Sequence, residues 1–283
     1  MMTKNCAMTH GGKFHADDVF SAALLKIWNP DLKIIRAFTV PETFDGLIFD
    51  IGWGKFDHHQ KNALVRENGV PYASFGLLWE EYGERILRAG FPPDQAKKEA
   101  EYFDFKFIQP LDEDDNTGCG NPIASIIESF NPNWDSDKPA DLCFAEAVQF
   151  ASVILNKKLD HMFGVQRAKE LVKAALTKAK DGIVILPKFA PWKAVLAPSD
   201  AEFVIYPSQR GGFSAQIVPA DPDFPEAKQY FPLAWAGKPE EELKRISGIE
   251  TLRFCHNGRF LISTGNLEDA VKACKKAKKQ RKD

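Results

Sequence analysis

Six histidines occur in the chain, and four of them fall within its first 60 residues among a high density of aspartates. His10 and His15 frame the stretch "HGGKFHADD", which sets Asp17 and Asp18 close behind the second imidazole. "FDIGWGKFDHHQ" at 49–60 adds Asp50, Asp57, His58 and His59, and "LDEDDN" adds Asp112, Asp114 and Asp115. Imidazole nitrogen combined with carboxylate oxygen suits Mn²⁺, Fe²⁺, Co²⁺ or Zn²⁺, whereas carboxylate and water alone would suit Mg²⁺ or Ca²⁺. The set His10, His15, Asp17, Asp50, His58 and one aspartate from 112 to 115 is large enough for two ions. Asp50 is the candidate shared ligand, because it directly follows the apolar run "GLIF" in the manner of a strand-end carboxylate. Two adjacent divalent ions lower the pKa of water and clamp the oxygens of an in-line displacement at phosphorus. The expected chemistry is hydrolysis of a phosphate ester or anhydride. Asp18 reads instead as a helix-start charge favoured by the macrodipole.

These donors need elements to position them. Residues 4–9 read as a short strand ending at His10, and "HADDVFSAALLKIW" follows as a helix with Phe20, Leu24 and Ile27 at i, i+4 and i+7. Residues 32–39 and 45–52 are two further β-rich runs, so an open, largely parallel α/β sheet is expected. Ligands of such sheets collect at the carboxyl ends of the strands, where His10 and Asp50 fall. Residues 74–107 are patterned as helices, broken at Gly90 and restarted at Pro92 and Pro93. Residues 108–122 read as a polar, glycine-containing loop carrying the third aspartate cluster. The expected division is an α/β metal-binding domain at 1–139, a helical connection at 140–182 and a smaller α+β domain at 183–283, whose strand-like runs include "GIVILP", "AEFVIYP", "GFSAQIVPA" and "RFLIST".

A chain of 283 residues with 44% apolar content can bury two cores. Its formal charge of −2 provides no global field for nucleic acid or a membrane, so affinity for a polyanion must come from a local patch. The five cysteines are odd in number and form no C-x-x-C pair, which points to reduced thiols. No run approaches the roughly 20 apolar residues of a membrane span, and nothing at the start reads as a signal peptide, so a cytoplasmic protein without a membrane partner is expected. In the second half, Gly211 and Gly212 let backbone N–H groups approach an anion beside Arg210, although a plain tight turn accounts for them nearly as well. His256 stands close to Arg253 and Arg259, and arginine forks suit phosphate. The basic end, "KACKKAKKQRK", reads as a solvated helix face.

The ordered set "THGGKFHADD", "FDIG", "DHHQ" and "LDEDDNTG" resembles the four metal motifs of the DHH phosphoesterases. More narrowly, the chain resembles the MYG1 (UPF0160) family along nearly its whole length, with "PWK", "RGGFSAQIVP", "LAWAGK" and "SGIETLRFCHNGRFL" matching the C-terminal portion. The resemblance implies that His10, His15 and Asp50 hold one ion, and that Asp17, Asp50, His58 and either Asp112 or Asp115 hold the other. The choice falls slightly to Asp112, which follows the apolar end of its segment. Asp57 would orient His58, and His59 would face the phosphate. Many members of the wider superfamily carry an aspartate where this chain has His15, which tilts the metal towards nitrogen-tolerant ions; the expected pair is Mn²⁺, with Zn²⁺, Co²⁺, Fe²⁺ or Mg²⁺ as the other choices. The implied activity is 3'-5' exonucleolytic cleavage of RNA, with Arg210, Gly211, Gly212, His256 and Arg259 gripping the strand. A hydrolase of small phosphoanhydrides or short oligonucleotides is the alternative within enzymes. A non-catalytic, metal-loaded RNA-binding protein is the alternative outside them. No H-E-x-x-H helix supports peptidase chemistry.

Overall fold

A computed structural model describes residues 5–221 and 227–279. The chain forms two compact units, Met1–His161 and Met162–Asp283. In the first, β1 (Cys6–His10), α1 (Ala16–Trp28), β2 (Lys33–Ala37) and β3 (Leu47–Ile48) follow in that order. Their sheet is parallel throughout, in the order β2-β1-β3, with Met8 paired to both Ile35 and Ile48. All three strands therefore end at the same edge, which is why His10, Phe38 and Asp50 emerge side by side. Helices α2 (Ser74–Leu87), α3 (Pro93–Phe103), α4 (Gln109–Thr117) and α5 (Pro122–Glu128) complete the unit, together with a π-helical turn at Asp104–Ile108. Phe20 of α1 stacks on Phe75 of α2 at 5.4 Å and meets Phe107 of the π-helical turn edge-on at 5.6 Å, so the first helix is locked against its helical neighbours by aromatic packing.

The expected loop at 108–122 is for the most part helix α4. Four acidic residues and an asparagine give the segment a loop-like composition, yet Ile108, Leu111 and Asp112 are buried and Gly118 closes the helix in the left-handed conformation, φ 64°. Burial of one face outweighs weak helix propensity. Residues 140–176 form a single helix, α6 (Ala140–Leu176).

The second unit is built on a five-stranded sheet in the order β4-β5-β6-β8-β7, from β4 (Ile183–Ile185), β5 (Phe203–Pro207), β6 (Phe213–Ile217), β7 (Leu252–Cys255) and β8 (Leu261–Thr264). Only β4 and β5 are parallel. The strict alternation of β5 sends Phe203 and Ile205 into one apolar cluster and Val204 and Tyr206 into another. The first cluster includes Leu243 of α8 (Glu240–Ser247) and Ala270, Ala273 and Cys274 of α9 (Leu267–Lys279); the second includes Trp192 and Leu196 of the short α7 (Lys193–Leu196) and its preceding turn. The chain is thus a mixed α/β protein with one parallel and one mixed sheet. No helix among the described residues is long and apolar enough to cross a membrane.

Candidate metal centre

The carboxyl edge of the three-stranded sheet gathers donors from four segments. His10 ends β1, and its Nδ1 lies 3.1 Å from the Gly11 carbonyl. A carbonyl only accepts, so Nδ1 carries the proton and Nε2 faces Asp50 Oδ2 at 3.1 Å and Asp18 Oδ2 at 3.3 Å. Asp50 follows β3 with φ 55°, a left-handed conformation uncommon outside glycine, and its N–H donates to the Phe56 carbonyl. His58 is fixed in the same manner as His10. Asn116 donates through Nδ2 to the Tyr72 and Asp112 carbonyls, which turns its Oδ1 to His58 Nδ1 at 3.3 Å. The His58 Nε2 atom then points at Asp50 Oδ1 (3.2 Å), Asp115 Oδ2 (3.3 Å) and Asp17 Oδ2 (3.6 Å).

Three groups of donors result: His10, Asp18 and Asp50; Asp50, His58 and His59; and His15, Asp17 and Asp115. Asp50 joins two of them. Asp17, Asp18 and Asp50 are buried, and the oxygens Asp17 Oδ1, Asp18 Oδ2 and Asp50 Oδ1 have no well-directed hydrogen bond. Burial, followed by the charge of Asp50, pushes Asp18 up to about 8; burial and the charges of Asp50 and Asp115 push Asp17 well above the ordinary carboxylate range. Burial opposes the charge on Asp50 as well, but His10 and His58 hold it at about 2. Burial would lower His10, yet its hydrogen bond to Asp50 and the charges of Asp18 and Asp50 lift it to about 9. Buried carboxylates crowded in this way need cations, and two imidazoles supply too little charge for three acids. The donor chemistry, the orphaned oxygens and the imidazoles fixed by their outer partners all fit divalent metal.

Several expected residues are placed differently. His15 groups with Asp17 and Asp115 rather than with His10 and Asp50. Asp112 stands outside the three groups: its carboxylate accepts from Arg66 Nη2 at 2.8 Å and from the Gly76 N–H at 3.1 Å, which spends its charge on Arg66 and on the start of α2. Asp57 turns away from the role expected of it. Its Oδ1 lies 2.7 Å from His59 Nδ1 and its Oδ2 accepts from the Trp53 N–H at 2.7 Å, so it orients His59, while Asn116 orients His58. Despite partial burial, the His59 contact and these N–H donors hold Asp57 below its usual pKa. Asp18, set aside as a helix-start charge, does serve the helix by accepting from the His15 N–H at 2.9 Å, but its second oxygen joins the donor group of His10. The doublet "DD" after an imidazole was the available signal. Asn116 had none, because its role depends on the Tyr72 carbonyl and on His58, both far from it in the chain.

The centre opens onto a cavity of about 680 Å³ whose lining includes Lys13, His15, His59, Asp115, Asn116 and Asn121. The five residues expected to grip a strand do not converge. Arg210, Gly211 and Gly212 form the turn between β5 and β6, where both glycines have positive φ (83° and 71°) and a Cβ on Gly212 would meet the Thr264 carbonyl at 2.0 Å. His256 and Arg259 form the turn between β7 and β8, with His256 Nδ1 accepting from the Gly258 N–H and the Arg259 guanidinium lying over Tyr230. Because Phe213 pairs with Thr264 and Gln216 with Leu261, these turns lie at opposite ends of the sheet. Residues 280–282 of the basic end lie outside the described residues.

The fold is an α/β protein whose parallel strands deliver buried carboxylates and fixed imidazoles to one edge, where three donor groups could each hold a metal ion. Comparison with known proteins supplies the family. The model of an uncharacterised protein family, UPF0160, matches residues 6–277, and the chain belongs to this MYG1 family. A MYG1 protein of Schizosaccharomyces pombe is 27% identical across 95% of this chain and 96% of its own length. The MYG1 exonuclease of Homo sapiens is 26% identical across 96% of this chain and 85% of its own. No solved structure matches.

Proposed function

We propose that the chain is a metal-dependent phosphohydrolase that removes nucleotides from the 3' end of single-stranded RNA, with two divalent ions, Mn²⁺ foremost, held at the strand edge. The observation that carries this reading is the set of three buried aspartates, one of which, Asp50, meets both His10 and His58, with carboxylate oxygens left for a cation. The exonuclease name of the human relative supports a nucleic-acid substrate. In this reading His10, Asp18 and Asp50 hold one ion, and Asp50, Asp17, His58 and Asp115 the other, with His15 beside Asp17. Divalent ions in such a site supply Lewis acidity towards phosphoryl oxygens.

The remaining steps belong to the chain. Asp57 fixes His59 through Nδ1 and leaves the half-exposed ring edge with Nε2 to meet the phosphate or to carry a proton to the leaving oxygen. Asn116 holds the tautomer of His58 that keeps Nε2 on the carboxylates. A second reading, hydrolysis of dinucleotides or small phosphoanhydrides, is favoured by one observation: Arg210 and Arg259, the two arginines expected to grip a strand, stand at opposite ends of the second unit's sheet.

Release of nucleotides from 5'-labelled RNA, single-stranded DNA and dinucleotides with Mn²⁺ tests both. Stepwise shortening of RNA from its 3' end, abolished by Asp50→Asn, is the expected result. Cleavage confined to dinucleotides selects the second reading, and activity unchanged in Asp50→Asn defeats both.

A further inference from the structure

Two large aromatic rings stand in solvent at the same strand edge as the metal centre. Phe38, directly after β2, is 82% exposed, and Trp53, shortly after β3, is 70% exposed. Scattered exposed apolar residues need no explanation, but these two are built in place. The Phe38 ring lies over Gly11 and Gly12: a Cβ on Gly11 would stand 3.3–3.4 Å from three ring carbons, and one on Gly12 would stand 3.4 Å from the nearest. Glycine backbone thus gives the ring a seat on one face and leaves the other to solvent, and Gly11 is the residue after His10.

Trp53 has φ 60°, a conformation unfavourable for a bulky side chain and uncommon outside glycine, asparagine and aspartate. It is held there by its N–H, which donates to the Asp57 oxygen not used for His59. The two segments also lie close together, since a Cβ on Gly52 would stand only 3.1 Å from Val40 Cγ2. The rings therefore extend from the two sides of this close approach, one beside His10 and the other tied to the Asp57–His59 pair. Strain spent on presenting a ring to water, next to a charged centre, is not explained by packing.

We infer that Phe38 and Trp53 are stacking platforms for the bases of single-stranded nucleic acid entering the metal centre, an inference that rests on the phosphohydrolase reading above. A nucleobase is the planar apolar partner that arrives with a phosphate attached. In a duplex its faces are already stacked, so the platform selects single strands and tolerates any base.

The test compares a hexaribonucleotide with its abasic counterpart, using Phe38→Ala, Trp53→Ala, Trp53→Phe and Trp53→Gly. Each alanine variant is expected to raise KM for the base-bearing strand on the order of 10-fold while leaving the abasic strand unchanged, and Trp53→Phe to restore most of it. Trp53→Gly separates binding from architecture: relief of the left-handed strain should raise its melting temperature while its KM rises as in Trp53→Ala. If wild type cleaves the hexamer and the alanine variants match it, the platform is refuted and the proposed function stands. Equal losses on the abasic strand, or a lower melting temperature in Trp53→Gly, would show a structural role and overturn the inference. If wild type cleaves neither strand, the proposed function falls and this inference with it.

Discussion

Replacing Gly76 by alanine should destabilise the protein, against the usual sign of the change. Alanine in place of glycine within a helix ordinarily gains about 0.5–1 kcal/mol. At Gly76, the third residue of α2, the added Cβ would lie 1.9 Å from Asp112 Oδ2 and 2.4 Å from Arg66 Nη2. Neither group can step aside. Arg66 is 5% exposed at its side chain and bonds Asp104 at 2.9 and 2.7 Å as well as Asp112 at 2.8 Å, and Asp112 is fully buried. Breaking a buried ion pair costs about 3–5 kcal/mol. Setting the propensity gain against this leaves a net loss of about 2–4 kcal/mol. Gly164 in α6 is the control, because the nearest atom to its Cβ is Arg167 Nη2 at 3.8 Å; Gly164→Ala should gain up to about 1 kcal/mol. Urea unfolding, followed by circular dichroism and tryptophan fluorescence, gives both values from the midpoint at unchanged slope. A Gly76→Ala protein as stable as wild type would refute the reasoning, since the Arg66–Asp112 pair would then be free to relax.

Two further predictions follow from the same geometry. Asp115→Asn should weaken Mn²⁺ binding, measured by titration calorimetry, by at least the 10–100-fold typical of losing an outer partner, whereas Asp112→Asn should keep the metal and lose stability; the reverse pattern would return Asp112 to the centre. Burial raises the Cys255 thiol to about 11 and Cys274 further still, so iodoacetamide at pH 8 should label the exposed Cys119 in the native protein and reach Cys255 and Cys274 only on unfolding. Mass spectrometry of the labelled peptides decides it, and early modification of Cys274 would contradict its buried placement.

Local pattern was enough to locate the strand edge. The apolar run before Asp50, the i, i+4, i+7 spacing of Phe20, Leu24 and Ile27, and the polar residues that follow each strand are properties of short segments, and short segments set where an element begins and ends. The misreading of 108–122 shows the limit. Its polarity is local, but the burial of Ile108 and Leu111 that makes it a helix is supplied by other parts of the chain.

By itself the sequence determined which donors exist and which of them stand at strand ends: His10 closing β1, Asp50 after β3, and the pair His58 and His59 a few residues further on. Only the tertiary structure decided among them. Asp112 and Asp115 are one helical turn apart and indistinguishable by composition, yet about 4.5 Å of rise and roughly 60° of rotation give one to Arg66 and the other to His58. Asp57 precedes His58 in the chain but bonds His59, and Asn116 reaches His58 from 58 residues away. The turns bearing Arg210 and Arg259 look alike in sequence, and strand order sends them to opposite ends of one sheet. The physical reason is the same in each case: hydrogen bonds and charge pairs act over about 3 Å in space, and nothing in a local pattern of residue types specifies which distant groups the fold will bring within that distance.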